Sequence, residues 1–261
     1  MLSIIAESQI SLAERLAVAG CVEGFMELGH TDINITEDSS VSGFYLAAED
    51  SETKSTLKAT LDDDPHPAFG YSVDAVSLGG SIKSDSFGEG NILVEPSVKK
   101  AGSVEIWADI TKKCYLRQSR SVVLVDNGEN AELIEGIIEH LDNPDYVKVA
   151  NDLSIEELIA LSQKCVAGIS SSPGGLLLLL TSMTPFLHVY SNMHDKKMIE
   201  DMELRSFGFN YQMLDKGQSP AVITAKLVPL IEDEMFLRKE IEKFRVFMRH
   251  EFLGVLRELL A

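Results

Sequence analysis

Between residues 91 and 190, short apolar runs alternate with amphipathic ones, and this alternation restricts the fold more than any other feature of the chain. The runs NILVE (91–95), SVVLVD (121–126), YVKVA (146–150), CVAGIS (165–170) and PFLHVY (185–190) have the length and composition of strands. SVVLVD is apolar almost throughout, as expected of a strand buried on both faces. Residues 104–116, 131–141, 154–164 and 175–182, between them, read as helices. Ser154 and Glu157 have the spacing of a capping box, which starts the third of these helices. Such alternation predicts an α/β fold, a Rossmann-like parallel sheet with helices on both faces.

The flanks differ. Residues 1–90 read as a short, reduced N-terminal α/β region that serves as an acceptor-side domain or a cap. It opens with a strand at 2–6 (LSIIA), a helix over 11–28 ended by Gly29, and a strand at 32–36 (DINIT). Residues 37–90 are rich in Ser, Gly, Asp and Pro. A helix over 51–61 and a strand over 69–78 fit there, and GGSIKSDSFGEG reads as a linker that places a domain boundary near Gly90. The Rossmann-like domain then covers 91–231, and 232–261 forms a C-terminal helix. Helices are expected over 220–231 and 234–260. The second carries Phe236, Ile241, Phe244, Phe247, Met248, Phe252 and Leu256, a stripe expected to pack back on the protein.

Charge and composition exclude several classes. The formal net charge of −18 repels phosphate backbones and anionic membrane surfaces, so no nucleic-acid partner is expected. A single phosphate group can still bind at a helix N-terminus inside a negative protein. The longest apolar run, 176–180, is far below the ~20 residues of a membrane span. The first residues lack the basic start and long apolar core of a signal peptide, which predicts a cytoplasmic protein without integral membrane association. Cys21, Cys114 and Cys165 are scattered and form no CxxC pair, so reduced, partly buried thiols are expected rather than disulfides. His188 and His194 have no metal-ligand spacing between them, and neither metal nor cofactor is expected.

In an open parallel sheet, ligands bind beyond the carboxyl ends of the strands. Four polar or Gly-rich loops should converge there: 95–102, 126–130, 170–175 and 191–195. The loop Ser170-Ser171-Ser172-Pro173-Gly174-Gly175 joins a strand to a helix. Its small residues allow close approach, its hydroxyls offer hydrogen bonds, and a helix start presents free N–H groups to a phosphate. Lys100 can pair with a diphosphate. Glu129 can accept ribose hydroxyls or simply favour a helix N-terminus. His194 lies in a rim loop within reach of a diphosphate or an acceptor.

The succession of residues 92–100 (ILVEPSVKK), Trp107, 122–129 (VVLVDNGE), 153–161 (LSIEELIAL), 168–176 (GISSSPGGL) and Thr184-Pro185 resembles family 9 glycosyltransferases, the heptosyltransferase-like enzymes of GT-B fold. The resemblance covers mainly their C-terminal, donor-binding domain. It implies sugar transfer from a nucleotide-sugar, typically an ADP-sugar, to a glycan or other acceptor. It places the nucleotide-sugar across Ser97, Glu129, Ser171, Ser172, Gly174, Gly175 and His194. Lys100 falls at the family lysine's distance from Trp107, although Gly102-Ser103 replaces the family's Trp-Pro pair; Lys100 and the helix at Gly175 would stabilise the leaving diphosphate. Glu7, after the first strand, stands where the family's general base would be.

The chain departs from the family at its signature loop, Asp-Ser-Gly-x-x-His. Here Ser172 replaces the acid, Leu177 the histidine, and only Gly174 remains. A leucine can neither hydrogen-bond nor carry charge. The N-terminal region is also shorter than the family's acceptor domain. Two functions therefore stand side by side: a minimal glycosyltransferase, or a catalytically inactive glycosyltransferase-like binding or scaffolding subunit, expected as a homo- or hetero-oligomer.

Overall fold

The computed structural model of the chain describes residues 2–6, 12–29, 33–37, 44–48, 87–97, 103–193, 196, 199–200 and 207–260. The expected helix at 51–61 and strand at 69–78 lie outside these residues.

The N-terminal part comprises β1 (Leu2–Ala6), α1 (Leu12–Glu27), β2 (Ile33–Glu37) and β3 (Phe44–Ala48). Its three-stranded sheet has the order β2-β1-β3, with β2 parallel and β3 antiparallel to β1. The next elements are β4 (Ile92–Glu95), α2 (Ser103–Gln118), β5 (Val122–Val125), α3 (Ala131–His140), β6 (Val147–Ala150), α4 (Ile155–Lys164), β7 (Ala167–Ser170), α5 (Pro173–Thr181) and β8 (Phe186–Tyr190). They are followed by β9 (Gly208–Asn210), the one-turn α6 (Gln212–Asp215), α7 (Ala221–Glu232) and α8 (Glu234–Leu260).

The larger sheet is parallel throughout, in the order β6-β5-β4-β7-β8-β9. Counted from β4 this is 3-2-1-4-5-6, the doubly wound Rossmann order, with its topological switch between β4 and β7. The fold class read from the alternation is the one observed. Strands β4, β5 and β7 are buried along their length, as their apolar composition requires when helices cover both faces.

Alternate residues of each strand feed two cores. Ile92, Val94, Val122 and Leu124 face one, with Trp107, Ile110, Leu133, Ile137, Ile223 and Leu227 from α2, α3 and α7. Leu93, Val123 and Val125 face the other, under α4 and α5. That second core also takes Leu12, Leu16, Cys21 and Phe25 of α1, and Ile241, Met248, Phe252 and Leu256 of α8. The helix of the N-terminal part therefore lies in the same core as the Rossmann sheet. Where α1 meets α8, a Cβ on Gly24 would stand 3.0 Å from Phe252 and closer still to Leu256, so any larger residue would force those side chains to shift.

α8 is fastened by arginines at the carboxyl ends of its neighbours. Arg238 donates to the carbonyls of Met183 (3.2 Å), Gln163 (3.2 Å) and Cys165 (2.5 Å), and Arg245 to that of Thr181 (3.0 Å). Cations there satisfy orphan carbonyls and complement the helix dipoles of α4 and α5.

Several boundaries depart from the sequence reading. α5 begins at Pro173, two residues before the expected Gly175, because Ser172 caps it and proline suits the first helical position. β7 starts at Ala167 rather than Cys165, which caps α4. Phe236 (63% exposed) and Phe247 (59%) do not join the buried stripe of α8. At about 100° per residue they sit roughly 120–140° around the helix from Ile241, whereas Met248 and Phe252 fall within about 20° of it. β3, β9 and α6 were not expected.

Candidate functional site at the sheet switch point

The geometry at the switch point is set by Glu95, the last residue of β4. It pairs with Ser170 at the end of β7, and Ser170 with His188 on β8. Glu95 points to the same face as Leu93 and meets the start of α5. Its side chain is fully buried and accepts four hydrogen bonds. The N–H groups of Ser171 (3.0 Å) and Ser172 (3.1 Å) donate to Oε2. Ser172 Oγ (2.9 Å) and Asn127 Nδ2 (2.5 Å) donate to Oε1. Gly175 is required beside it, because a Cβ there would run into the carboxylate.

Glu95 and the residues bonded to it tie three loops together. In the β4–α2 loop, Ser97 N–H bonds Ser171 Oγ (2.6 Å), which in turn donates to the Glu95 carbonyl (3.1 Å). In the β5–α3 loop, Asn127 Oδ1 accepts from the Glu129 N–H (2.9 Å). Asn130 Oδ1 accepts from the Asn127 N–H (2.9 Å), while its amide donates to the carbonyls of Pro96 (2.8 Å) and Val125 (3.0 Å). In the β7–α5 loop, Ser172 Oγ also accepts from the Gly175 N–H (3.0 Å), the N-cap bond of α5.

Burial pushes the Glu95 carboxyl up to about 7, and the bonds from Ser171, Ser172 and Asn127 pull it down by less. His188 is buried, with Nδ1 2.9 Å from Ser170 Oγ, and burial lowers its pKa to about 3, so it is neutral. Its Nε2 has no hydrogen-bond partner among the described residues. Burial likewise drives the Cys114 and Cys165 thiols up to about 12 and raises that of Cys21, which removes all three as nucleophiles.

Of the residues read from the sequence, Ser97, Ser171, Ser172, Gly174 and Gly175 come together at the switch point. Glu129 stands exposed at the rim, held through its N–H by Asn127. Lys100, Glu7 and His194 lie outside the described residues. Trp107, which marks the spacing of Lys100, is buried in the core under α2. The N–H groups of Ser171, Ser172 and Gly175, expected to meet a phosphate, donate instead to Glu95 and to Ser172 Oγ. The sequence reading missed Glu95, Asn127 and Asn130. An acid that closes an apolar strand of a parallel sheet was the available signal for the first. Among the described residues no group of three or more His, Cys, Asp or Glu side chains could hold a metal ion. None of the described helices is long and apolar enough to cross a membrane.

No family model and no curated protein matches the chain. Similar solved structures include a point mutant of the O-GlcNAc transferase of Thermobaculum terrenum (9% identity, 69% of this chain and 35% of that one, TM-score 0.47). Another is the glycosyltransferase SnogD from Streptomyces nogalater (16% identity, 68% and 45%, TM-score 0.39). The matched stretch thus spans less than half the length of either protein.

Proposed function

We propose that the chain is a glycosyltransferase that takes its sugar from a nucleotide-sugar, with the donor lying along the rim of the larger sheet. The observation that carries this reading is the 3-2-1-4-5-6 strand order with polar loops converging at the switch point, the position where open α/β sheets bind nucleotides. The family 9 resemblance narrows the class to heptosyltransferase-like transfer from an ADP-sugar to a glycan or other acceptor. Glu129 would accept the ribose hydroxyls. Ser97, Ser171 and Ser172 would contact the donor through their side chains, beside Gly174 and Gly175. Lys100 would neutralise the leaving diphosphate, His194 would touch it from the next loop, and Glu7 would deprotonate the acceptor hydroxyl.

A second reading, a catalytically inactive glycosyltransferase-like binding or scaffolding subunit, is favoured by one specific feature. The α5 N-terminus, the seat for a phosphate in the first reading, already holds the Glu95 carboxylate. Thermal unfolding with ADP, UDP, GDP and ADP-sugars decides between them when combined with a donor-turnover assay. A ligand at a hundredfold excess over its Kd stabilises the folded chain by about 2.7 kcal/mol, a readily measured rise in Tm. Stabilisation with turnover is the expected result. Stabilisation without turnover selects the second reading, and an unchanged Tm across the panel at millimolar concentration rejects nucleotide binding altogether.

A further inference from the structure

We propose that Glu95 is the positioning residue of the rim, and that the charge on its carboxylate sets where Ser171, Ser172 and Glu129 stand. The inference rests on the proposed function only in treating these loops as a ligand-binding rim.

Its basis is the direction of the four hydrogen bonds. Every described polar contact of the Glu95 carboxylate comes from a donor, and ionised carboxylates only accept. A proton on Glu95 therefore has no acceptor in the present arrangement. It cannot sit on Oε2, because the N–H groups of Ser171 and Ser172 are fixed by the backbone and cannot reverse. On Oε1 it meets the Asn127 amide at 2.5 Å and the Ser172 hydroxyl at 2.9 Å.

Asn127 has the closer contact, and its amide must turn over to offer Oδ1 to the new O–H. That turn brings Nδ2 against the Glu129 N–H, donor against donor, and breaks the 2.9 Å bond that holds the β5–α3 loop. If Ser172 responds instead, its hydroxyl turns so that Oγ accepts the new O–H, and its second lone pair keeps the Gly175 N–H, so the bond to Oε1 reverses while the α5 cap stays in place. Along the Asn127 route the change in charge at a buried point reaches Glu129 at the surface.

The ionisable side chains around Glu95 among the described residues are few. β4, β5, β7 and α5 contribute none besides Glu95 itself. Asp126 and Glu129 lie in the β5–α3 loop, and His188 lies on β8, two strands away and neutral. Burial places the Glu95 transition near neutral pH. The rim is thus built to differ on the two sides of neutrality.

The test is a pH titration of the full-length 15N-labelled chain without ligand, from pH 5.5 to 8.5, following the amide resonances of Ser171, Ser172 and Glu129 and the side-chain amide of Asn127. The expected result is a shared transition near pH 7 in the wild type. In Glu95→Gln, whose side chain cannot titrate, the shared transition is lost. Flat resonances in the wild type overturn the proposal, as does the same transition persisting in Glu95→Gln. If the variant does not fold, the 13C shift of the Glu95 side-chain carboxyl followed in the wild type decides, since it must change together with these amides, and a flat Glu95 carboxyl overturns the proposal. Affinity for ADP, UDP, GDP and an ADP-sugar, measured by calorimetry at pH 6 and 8, keeps the two claims apart. A shared transition without binding of ADP, UDP, GDP or an ADP-sugar sustains the role of Glu95 and removes the proposed function.

Discussion

Glu95 and His188 are buried two strands apart, and they pull stability in opposite directions with pH. Glu95 keeps its proton up to about 7, from 4.5 for an ordinary carboxyl. A raised folded pKa means that the folded chain binds the proton more tightly than the unfolded one. Its stabilising contribution is therefore complete below 4.5 and lost as pH rises through about 7. His188 falls from 6.5 to about 3. Its contribution is complete above 6.5 and lost as pH falls toward 3. Between 4.5 and 6.5 the two slopes offset each other, which hides both in the wild type. Glu95→Gln removes one of them. The stability of the variant relative to wild type is expected to increase by roughly 3 kcal/mol between pH 4.5 and pH 8, one pKa unit being worth about 1.4 kcal/mol. Urea unfolding of both proteins at the two pH values measures this, and a difference that stays constant or shrinks contradicts the buried, proton-holding carboxyl.

Among the elements, the crossing of α1 and α8 is the most exposed to a single change. Gly24→Val would push a side chain into Phe252 and Leu256, and overpacking of this kind costs roughly 1–3 kcal/mol. Gly254→Ala, also on α8 but facing open space, is expected to gain about 0.5–1 kcal/mol instead, because a helix interior favours alanine. Chemical unfolding of the pair separates tight crossing from general helix propensity. Similar effects for the two substitutions would mean that the crossing is not tight. The elements most legible in the sequence were those whose burial is written locally. β4, β5 and β7 are buried along their length and apolar up to their carboxyl ends, and the Ser154–Glu157 capping box forms as its spacing implies. β9 has three residues and α6 four, too few to show a period. The exposed Phe236 and Phe247 were misassigned because a count of apolar residues along a helix ignores their angle around it. The site was legible as a set of loops but not as a bonded cluster. Glu95 meets Ser171 and Ser172 across 76 and 77 positions of chain, and no local pattern records that contact.

For the whole molecule, charge acts on stability and, under the proposed function, on capture of an anionic nucleotide. The chain carries 41 acidic residues against 23 basic ones, a net charge of −18. Those charges repel one another most in the compact state, and salt screens them, with a Debye length of about 30 Å at 0.01 M and about 10 Å at 0.1 M. Local ion pairs such as Lys196–Glu200 and Lys243–Glu240 offset only part of this excess, since acids outnumber bases by 18. Arg238 and Arg245 serve helix carbonyls, and Arg249 is engaged with Glu23 and Glu27. Both Tm and the association rate of an anionic nucleotide should then rise with sodium chloride between 0.01 and 0.3 M. This is opposite to the salt response of a basic phosphate-binding protein, where screening slows capture. Differential scanning calorimetry checks the first, and stopped-flow binding of a fluorescent ADP analogue the second. A Tm that rises while the association rate falls would mean that a local cluster of positive charge, with Lys100 the first candidate, outweighs the global field at the rim. Charge reversal at Lys100 should then restore the rising rate and leave the salt dependence of Tm intact.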